Sequence, residues 1–264
     1  MSAPVLPEKL AAFLEGFCFE AEKIGMSGAQ VYRCIKGDTV YYLKIERICR
    51  ESTTERDMLL WMQGKVPVPR VEQVLRQDGL QYLLTACLPG RMACDKAFLK
   101  DPVGVAGLLA KGMQMLWQAD ISDCPVDQMP AAKLAGALEN VQQGRVHMSE
   151  IEPESAAYGS PMGIYEELVR TVPPVERAVL SHGDYCLPNV FFADGQVTGY
   201  LDLGRAGVCD IWQDIALCVR SFRYNFRRST EAERQAGVDA LFEALGLQPD
   251  AEKLRFYLLL DELY

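Results

Sequence analysis

Asp184, Asn189 and Asp202 are the residues whose types and spacing point to chemistry. Asp184 and Asn189 stand five positions apart in Leu180-Ser181-His182-Gly183-Asp184-Tyr185-Cys186-Leu187-Pro188-Asn189, and Asp202 follows eighteen beyond Asp184 in Leu201-Asp202-Leu203-Gly204-Arg205. Two carboxylates and a carboxamide in this order suit phosphoryl transfer, which needs positioning and charge neutralisation more than covalent chemistry. Asp184 would align an acceptor hydroxyl and take its proton late, because an alcohol is a far weaker acid than a carboxylic acid. Asn189 and Asp202 offer the hard oxygen donors that magnesium prefers, with Asp202 placed to bridge metal and nucleotide phosphates. The competing reading is a packed core His182 beside an Asp184 and Asn189 that only shape a turn. The second acid, in register after an Asp194-Gly195 hairpin turn, weighs against it.

Such groups need rigid supports. Apolar runs flank them at Val179-Leu180, Val190-Phe191-Phe192 and Tyr200-Leu201, so strands should hold the polar residues at their ends. Upstream, Leu10, Phe13, Leu14 and Phe17 have helical spacing over 8–17, and strand-like runs cover 29–35 and 39–45 around a Lys36-Gly37-Asp38 turn. Alternation places Tyr42 and Lys44 on one face, where Tyr42 can lie against adenine and Lys44 can reach the α- and β-phosphates. A helix over 52–64, capped by Ser52 or Thr53 and stopped at Gly64, carries the stripe Met58, Leu59 and Met62. Glu55 in its first turns is the acidic partner expected for Lys44, with Glu51 as the alternative. Gly25-Met26-Ser27-Gly28 is a candidate phosphate loop, although the residues alone equally describe an ordinary turn.

Strands follow over 71–75 and 80–86 with Asp78-Gly79 turning between them. Thr85-Ala86-Cys87-Leu88-Pro89-Gly90 reads as a hinge, where main-chain groups of Thr85 and Cys87 would meet a purine edge. Main-chain contacts leave ATP and GTP equally open. The pattern then turns helical: a start at Asp101-Pro102, a helix over 130–141, a polar loop over 144–161, and helices near 163–171 and over 210–222. Ser229-Thr230 caps a further helix ended by Gly246, and Pro249-Asp250 opens the last, through 263. The division expected is an N-terminal nucleotide-binding lobe, 1–86, and a C-terminal catalytic and acceptor-binding lobe, 87–264.

A chain of 264 residues with 49% hydrophobic composition can bury a substantial core. Its 27 basic and 36 acidic residues give a net charge of −9, which argues against nucleic-acid binding and is compatible with a cationic partner. Nine cysteines, an odd number with no Cys-x-x-Cys spacing, suggest free thiols in a reducing compartment. No apolar stretch reaches membrane-spanning length and no signal-peptide pattern opens the chain. The expectation is a cytoplasmic protein with no membrane partner; its oligomeric state is not legible.

His-Gly-Asp-x-x-x-x-Asn, Leu-Asp-Leu-Gly-Arg, the following Asp210-Ile211-Trp212-Gln213-Asp214-Ile215-Ala216 and the closing Leu258-Leu259-Leu260-Asp261-Glu262-Leu263-Tyr264 together resemble the aminoglycoside phosphotransferases, the 3'-phosphotransferase branch above all. The resemblance spans nearly the whole chain. It implies an α+β, two-lobed protein-kinase-like fold, with an N-terminal antiparallel sheet lobe and a mainly helical C-terminal lobe. It also implies transfer of the γ-phosphate of ATP or GTP, with magnesium, to a hydroxyl of an aminoglycoside antibiotic. By the same resemblance Ser27 serves the phosphates and Glu55 pairs with Lys44. Arg205, Asp261, Glu262 and the carboxylate of Tyr264 match positions that face the cationic acceptor, and Asp214 buttresses the catalytic loop. Two acids at a helix C-terminus oppose the helix dipole, which a ligand cation would explain. Glu150, Glu152 and Glu154 can extend that wall.

One departure concerns Tyr224-Asn225, where relatives present acids, followed by Arg227-Arg228; fewer acids there weaken the case for a multiply charged cation. Two alternatives therefore stand: a kinase of the same fold for another small alcohol such as choline or a sugar, and a catalytically silent nucleotide-binding regulator. A protein kinase is disfavoured by the missing glycine-rich loop and Ala-Pro-Glu segment.

Overall fold

The computed structural model describes residues 4–22, 28–153 and 155–264. Ser27 and Glu154 lie outside the described residues, as does the side chain of Glu150.

Side-chain alternation along β3 (Thr39–Arg47) organises the first part of the chain. Leu43 and Ile45 are buried on one face, and Tyr42, Lys44 and Glu46 share the other. The buried pair joins Leu10 of α1 (Glu8–Phe13), Leu14, Cys34, Tyr82 and Leu84 in a small core. β3 is the middle strand of a five-stranded antiparallel sheet, ordered β1-β2-β3-β5-β4. The other strands are β1 (Cys18–Glu22), β2 (Gln30–Lys36), β4 (Val71–Gln77) and β5 (Leu80–Ala86).

Three boundaries differ from expectation. β1 was not foreseen, because Cys-Phe-Glu-Ala-Glu alternates weakly and suits a charged edge strand. α1 ends at Phe13 instead of 17, and Gly16 soon afterwards takes a left-handed φ of 79°. The second helix, α2 (Arg50–Met62), is capped by Cys49 rather than by Ser52 or Thr53. The Cys49 sulfur accepts the Ser52 amide at 3.4 Å while Ser52 Oγ accepts the Cys49 amide at 2.8 Å, a capping box built on a thiol.

α2 ties the sheet to the rest of the molecule. Met58, Leu59 and Met62 on its inner side enter a large core with Leu83 of β5 and with Leu109, Met113 and Leu116 of α3 (Pro102–Trp117). The same core holds Tyr185, Tyr200 and Trp212. Glu55 therefore rides on a helix anchored in the second half of the chain.

That half is mainly helical: α3, α4 (Pro130–Gln142), α5 (Pro161–Arg170), α6 (Trp212–Asn225), α7 (Glu231–Leu245) and α8 (Ala251–Asp261). Two small antiparallel sheets support the loops, one pairing β7 (Ala178–Ser181) with β10 (Gly207–Asp210). The other is ordered β6-β8-β9, from Arg91–Met92, Val190–Ala193 and Gln196–Tyr200. The expected turns hold: Asp78-Gly79 and Asp194-Gly195 all have positive φ, as a tight hairpin turn requires. The helix expected from 210 starts at Trp212, because Asp210 completes β10 and its carboxylate accepts the amides of Arg177 at 3.1 Å and Trp212 at 3.0 Å. The last helix stops at Asp261, short of 263.

Candidate active site

The loop after β7 is held by one buried acid. Asp214, in the first turn of α6, accepts Ser181 Oγ at 2.9 Å, the His182 amide at 2.8 Å and the Gly183 amide at 3.0 Å. Burial pushes its pKa up, against the three donors that favour the charged form. Gly183 is required at its position: φ is 80°, and a β-carbon there would sit 1.9 Å from the carbonyl oxygen of Arg205. His182 is a packed core residue, as the plainer reading of the sequence had it. Its Nδ1 accepts the Asp184 amide at 3.3 Å, its ring meets Tyr185 and Tyr200 edge-on, and its buried Nε2 has no partner among the described residues.

Asp184 is pinned on both carboxylate oxygens. Asn189 Nδ2 donates to Asp184 Oδ2 at 2.9 Å and to its carbonyl oxygen at 3.0 Å, and Cys186 Sγ lies 2.9 Å from Oδ1. Burial, then the neighbouring carboxylate, pushes the Cys186 pKa far up, so the thiol keeps its proton and donates it to Asp184. With its amide nitrogen turned to Asp184, Asn189 keeps Oδ1 free of protein hydrogen bonds among the described residues.

Lys44 Nζ stands 2.7 Å from Glu55 Oε2 and 3.4 Å from Glu46 Oε2. Burial alone would lower the ammonium's pKa, but the carboxylates of Glu55 and Glu46, with Asp202 adding its field, raise it and keep the charge. Glu51, the alternative partner, bonds Arg205 Nε at 3.1 Å instead. Asp202 adopts a left-handed φ of 59°, uncommon outside glycine though tolerated by aspartate. Its exposed carboxylate makes no side-chain hydrogen bond or ion pair among the described residues. Two uncommitted hard oxygen donors, from Asn189 and Asp202, fit a magnesium ion. Tyr42 pairs in register with Arg33 and Thr85. The Cys87 amide donates to the Val40 carbonyl at 3.4 Å, and its side chain is exposed.

Lys44→Met is expected to raise the KM for nucleotide by roughly 10–100-fold, the loss of one charge-assisted contact. Steady-state kinetics at saturating acceptor checks it, and an unchanged KM would remove Lys44 from the phosphate site.

On the acceptor side, Asp261 is already engaged. Its Oδ1 accepts Arg205 Nη1 at 3.0 Å and its Oδ2 pairs with Arg220 Nη2. Glu262 Oε2 accepts the Glu152 amide at 3.2 Å, and burial pushes its pKa up. A cavity of about 210 Å³ opens here, lined among others by Arg145, Glu152, Arg220, Asp261, Glu262 and Tyr264. The Tyr264 hydroxyl donates to the Lys133 carbonyl, fixing the ring. Tyr224 is exposed under the Arg227 guanidinium, 4.4 Å from the ring centre, and Asn225 Nδ2 donates to the Ser221 carbonyl at 2.8 Å. Neither supplies an acid.

The structure thus brings together Asp184 with Asn189 and Lys44 with Glu55, and it joins Arg205 to Asp261. Cys186, which sequence alone assigns to packing within the catalytic loop, instead donates its thiol to Asp184, and Arg220 was not singled out from sequence. An arginine directly after the apolar run Ala216-Leu217-Cys218-Val219 was the available signal for Arg220, since a charge on a core-facing helix needs a partner.

Comparison with known proteins extends this. The description "Phosphotransferase enzyme family" matches residues 23–257. An aminoglycoside 3'-phosphotransferase of Enterococcus faecalis is 36% identical, over 98% of this chain and 98% of its own. The crystal structure of a type VIII aminoglycoside 3'-phosphotransferase superposes with a TM-score of 0.84 at 28% identity, covering 97% of both chains. A Streptomyces rimosus aminoglycoside phosphotransferase, solved with ADP and streptomycin, shares the fold at 24% identity, with a TM-score of 0.79 over 96% of this chain and 95% of its own.

Proposed function

From the chain's membership of the phosphotransferase enzyme family, to which it belongs, we infer that it transfers the γ-phosphate of a nucleoside triphosphate to a 3'-type hydroxyl of an aminoglycoside antibiotic and so confers resistance. The observation that carries the reading is the pinned Asp184 carboxylate, held by Asn189 and Cys186 on a loop that Asp214 locks.

In this reading the acceptor oxygen attacks the γ-phosphorus, the bond to the β-phosphate oxygen breaks, and the nucleoside diphosphate leaves. Asp184 aligns the attacking hydroxyl and receives its proton as that bond forms. Lys44, kept charged by Glu55 and Glu46, binds the α- and β-phosphates. Tyr42 flanks the adenine, and main-chain groups of Thr85 and Cys87, other than the Cys87 amide that the Val40 carbonyl takes, face the purine edge. Asn189 and Asp202 would hold magnesium, which would supply charge neutralisation on the phosphates. Arg205, Asp261, Glu262 and Tyr264 form the acceptor wall, and the division at 86/87 parts a nucleotide-binding lobe from a catalytic and acceptor-binding lobe that adds Cys87, Asn189 and Asp202 to the nucleotide site.

A second reading, a kinase for another small alcohol such as choline or a sugar, is favoured by one observation. Asp261 is neutralised by two arginines, so the wall offers a cation less negative charge than its sequence promised. Turnover with ATP and GTP in parallel decides between them, using kanamycin, neomycin, a 3'-deoxy aminoglycoside, choline and several sugars. The aminoglycoside reading expects turnover with the first two and none with the 3'-deoxy compound. Turnover confined to another alcohol would replace the substrate, and no acceptor-dependent turnover at all would favour a silent nucleotide-binding protein.

A further inference from the structure

Lys133 is a charged group that phosphoryl transfer leaves unused. It lies on α4 only 2% exposed, and among the described residues its ammonium makes neither a hydrogen bond nor an ion pair. It rests 4.9 Å from the centre of the Tyr264 ring, and the Arg205 guanidinium lies over the same ring at 5.6 Å. A cation–π contact offsets only part of the loss of hydration, so a buried ammonium needs an anion or must give up its proton.

The neighbouring acids are already committed. Lys133 borders a cavity of about 20 Å³ together with Arg50, Glu51, Gln128, Arg205 and Tyr264. Glu51 is bonded to Arg205, and Asp261 is shared by Arg205 and Arg220. Arg50 makes no ion pair among the described residues. Three cationic side chains against one carboxylate leave the cavity wall with an excess of positive charge, to which the N-terminal end of α2 at Arg50 adds. Burial pushes the Lys133 pKa down, and the opposing pull of Asp261 and Asp214, each hydrogen-bonded elsewhere, only partly offsets it.

Size restricts the occupant. Only about 20 Å³ is open to the centre of a water-sized particle, which favours a compact monatomic anion over the bulkier phosphate, sulfate and carboxylates. We propose that this cavity binds a single halide-sized anion, chloride, between Lys133, Arg50 and Arg205. The anion completes the charge balance beneath Tyr264 and holds the Tyr264 and Arg205 side chains that line the cavity. The site shares Tyr264 with the larger acceptor cavity but is centred on Lys133 and Arg50, and it stands whether or not the chain phosphorylates aminoglycosides.

Two measurements on the whole protein test it, neither using nucleotide or acceptor. Crystals of the unaltered protein soaked in bromide are expected to give an anomalous peak in this cavity. The Tm is expected to rise by about 2–4 °C when chloride replaces gluconate, which is too large to enter, at constant ionic strength. Lys133→Met should remove the chloride response. If that variant does not fold, Arg50→Gln, on the exposed rim, should raise the half-saturating chloride concentration roughly tenfold. An empty cavity in bromide, or a chloride response equal in variant and parent, overturns the proposal and leaves Lys133 as a neutral amine.

Discussion

Asp184→Ala is expected to lower kcat by roughly 10³-fold while leaving ADP affinity within about twofold. The substitution removes the carboxylate that orients the acceptor hydroxyl, and of the groups assigned to the nucleotide and its metal it touches only Asn189. Asn189 Nδ2 loses its 2.9 Å contact but keeps the Asp184 carbonyl at 3.0 Å, so the loop retains its main tie. Cys186 is a smaller loss, since a thiol is a weak donor. Calorimetric titration with ADP and magnesium, beside steady-state turnover, separates the two effects. Turnover within tenfold of the parent would show that another group aligns the hydroxyl, and a parallel collapse of ADP binding would mean that Asp184 organises the whole cleft.

Asp214→Ala should be the most damaging single change to stability. The carboxylate is fully buried and accepts from Ser181 Oγ and from the amides of His182 and Gly183. Its removal leaves the Ser181 hydroxyl and the His182 amide unpaired in a site closed to water, while the Gly183 amide keeps Ser181 Oγ at 3.0 Å, at a cost of roughly 3–5 kcal/mol. For a chain of this length that corresponds to a Tm lower by about 10 °C. Turnover should fall as well, because the same amides set the direction of the loop that ends in Asp184. Asp214→Asn should fall between, since the carboxamide keeps one acceptor oxygen and turns its NH₂ against a donor. A Tm for Asp214→Ala within two degrees of the parent would show that the loop is held by its packing alone. The two substitutions act at opposite ends of one chain of contacts: Asp214 locks the loop, and Asp184 uses the position.

Much of the site was legible in the sequence because its key contacts are short in chain length or follow simple periodicity. Asp184 and Asn189 meet across a five-residue step that ends in one turn of 3₁₀ helix, Leu187–Asn189. Strand alternation set Tyr42 and Lys44 on one face, and the helical stripe of Met58, Leu59 and Met62 placed Glu55 towards them. Turn chemistry marked Asp78-Gly79 and Asp194-Gly195. The misread ends of elements have equally local causes, a thiol serving as helix cap at Cys49 and a carboxylate at Asp210 that finishes a strand before the helix begins.

The sequence by itself determined the residue types at the catalytic loop, the strand–helix pair behind Lys44 and Glu55, and the succession of sheet and helices, because hydrophobic period and turn chemistry act over a few residues. Only the tertiary structure decided how charge is distributed around the acceptor. Arg205 reaches Asp261 across 56 positions and Arg220 reaches it across 41, so acids that read as free for a ligand cation are spent within the protein. Lys133 read as nothing in particular on α4, and packing enclosed it beside Tyr264 with no acid left to pair with it. Which charges meet is settled by the closure of long loops and the packing of distant helices, and local sequence carries no record of that.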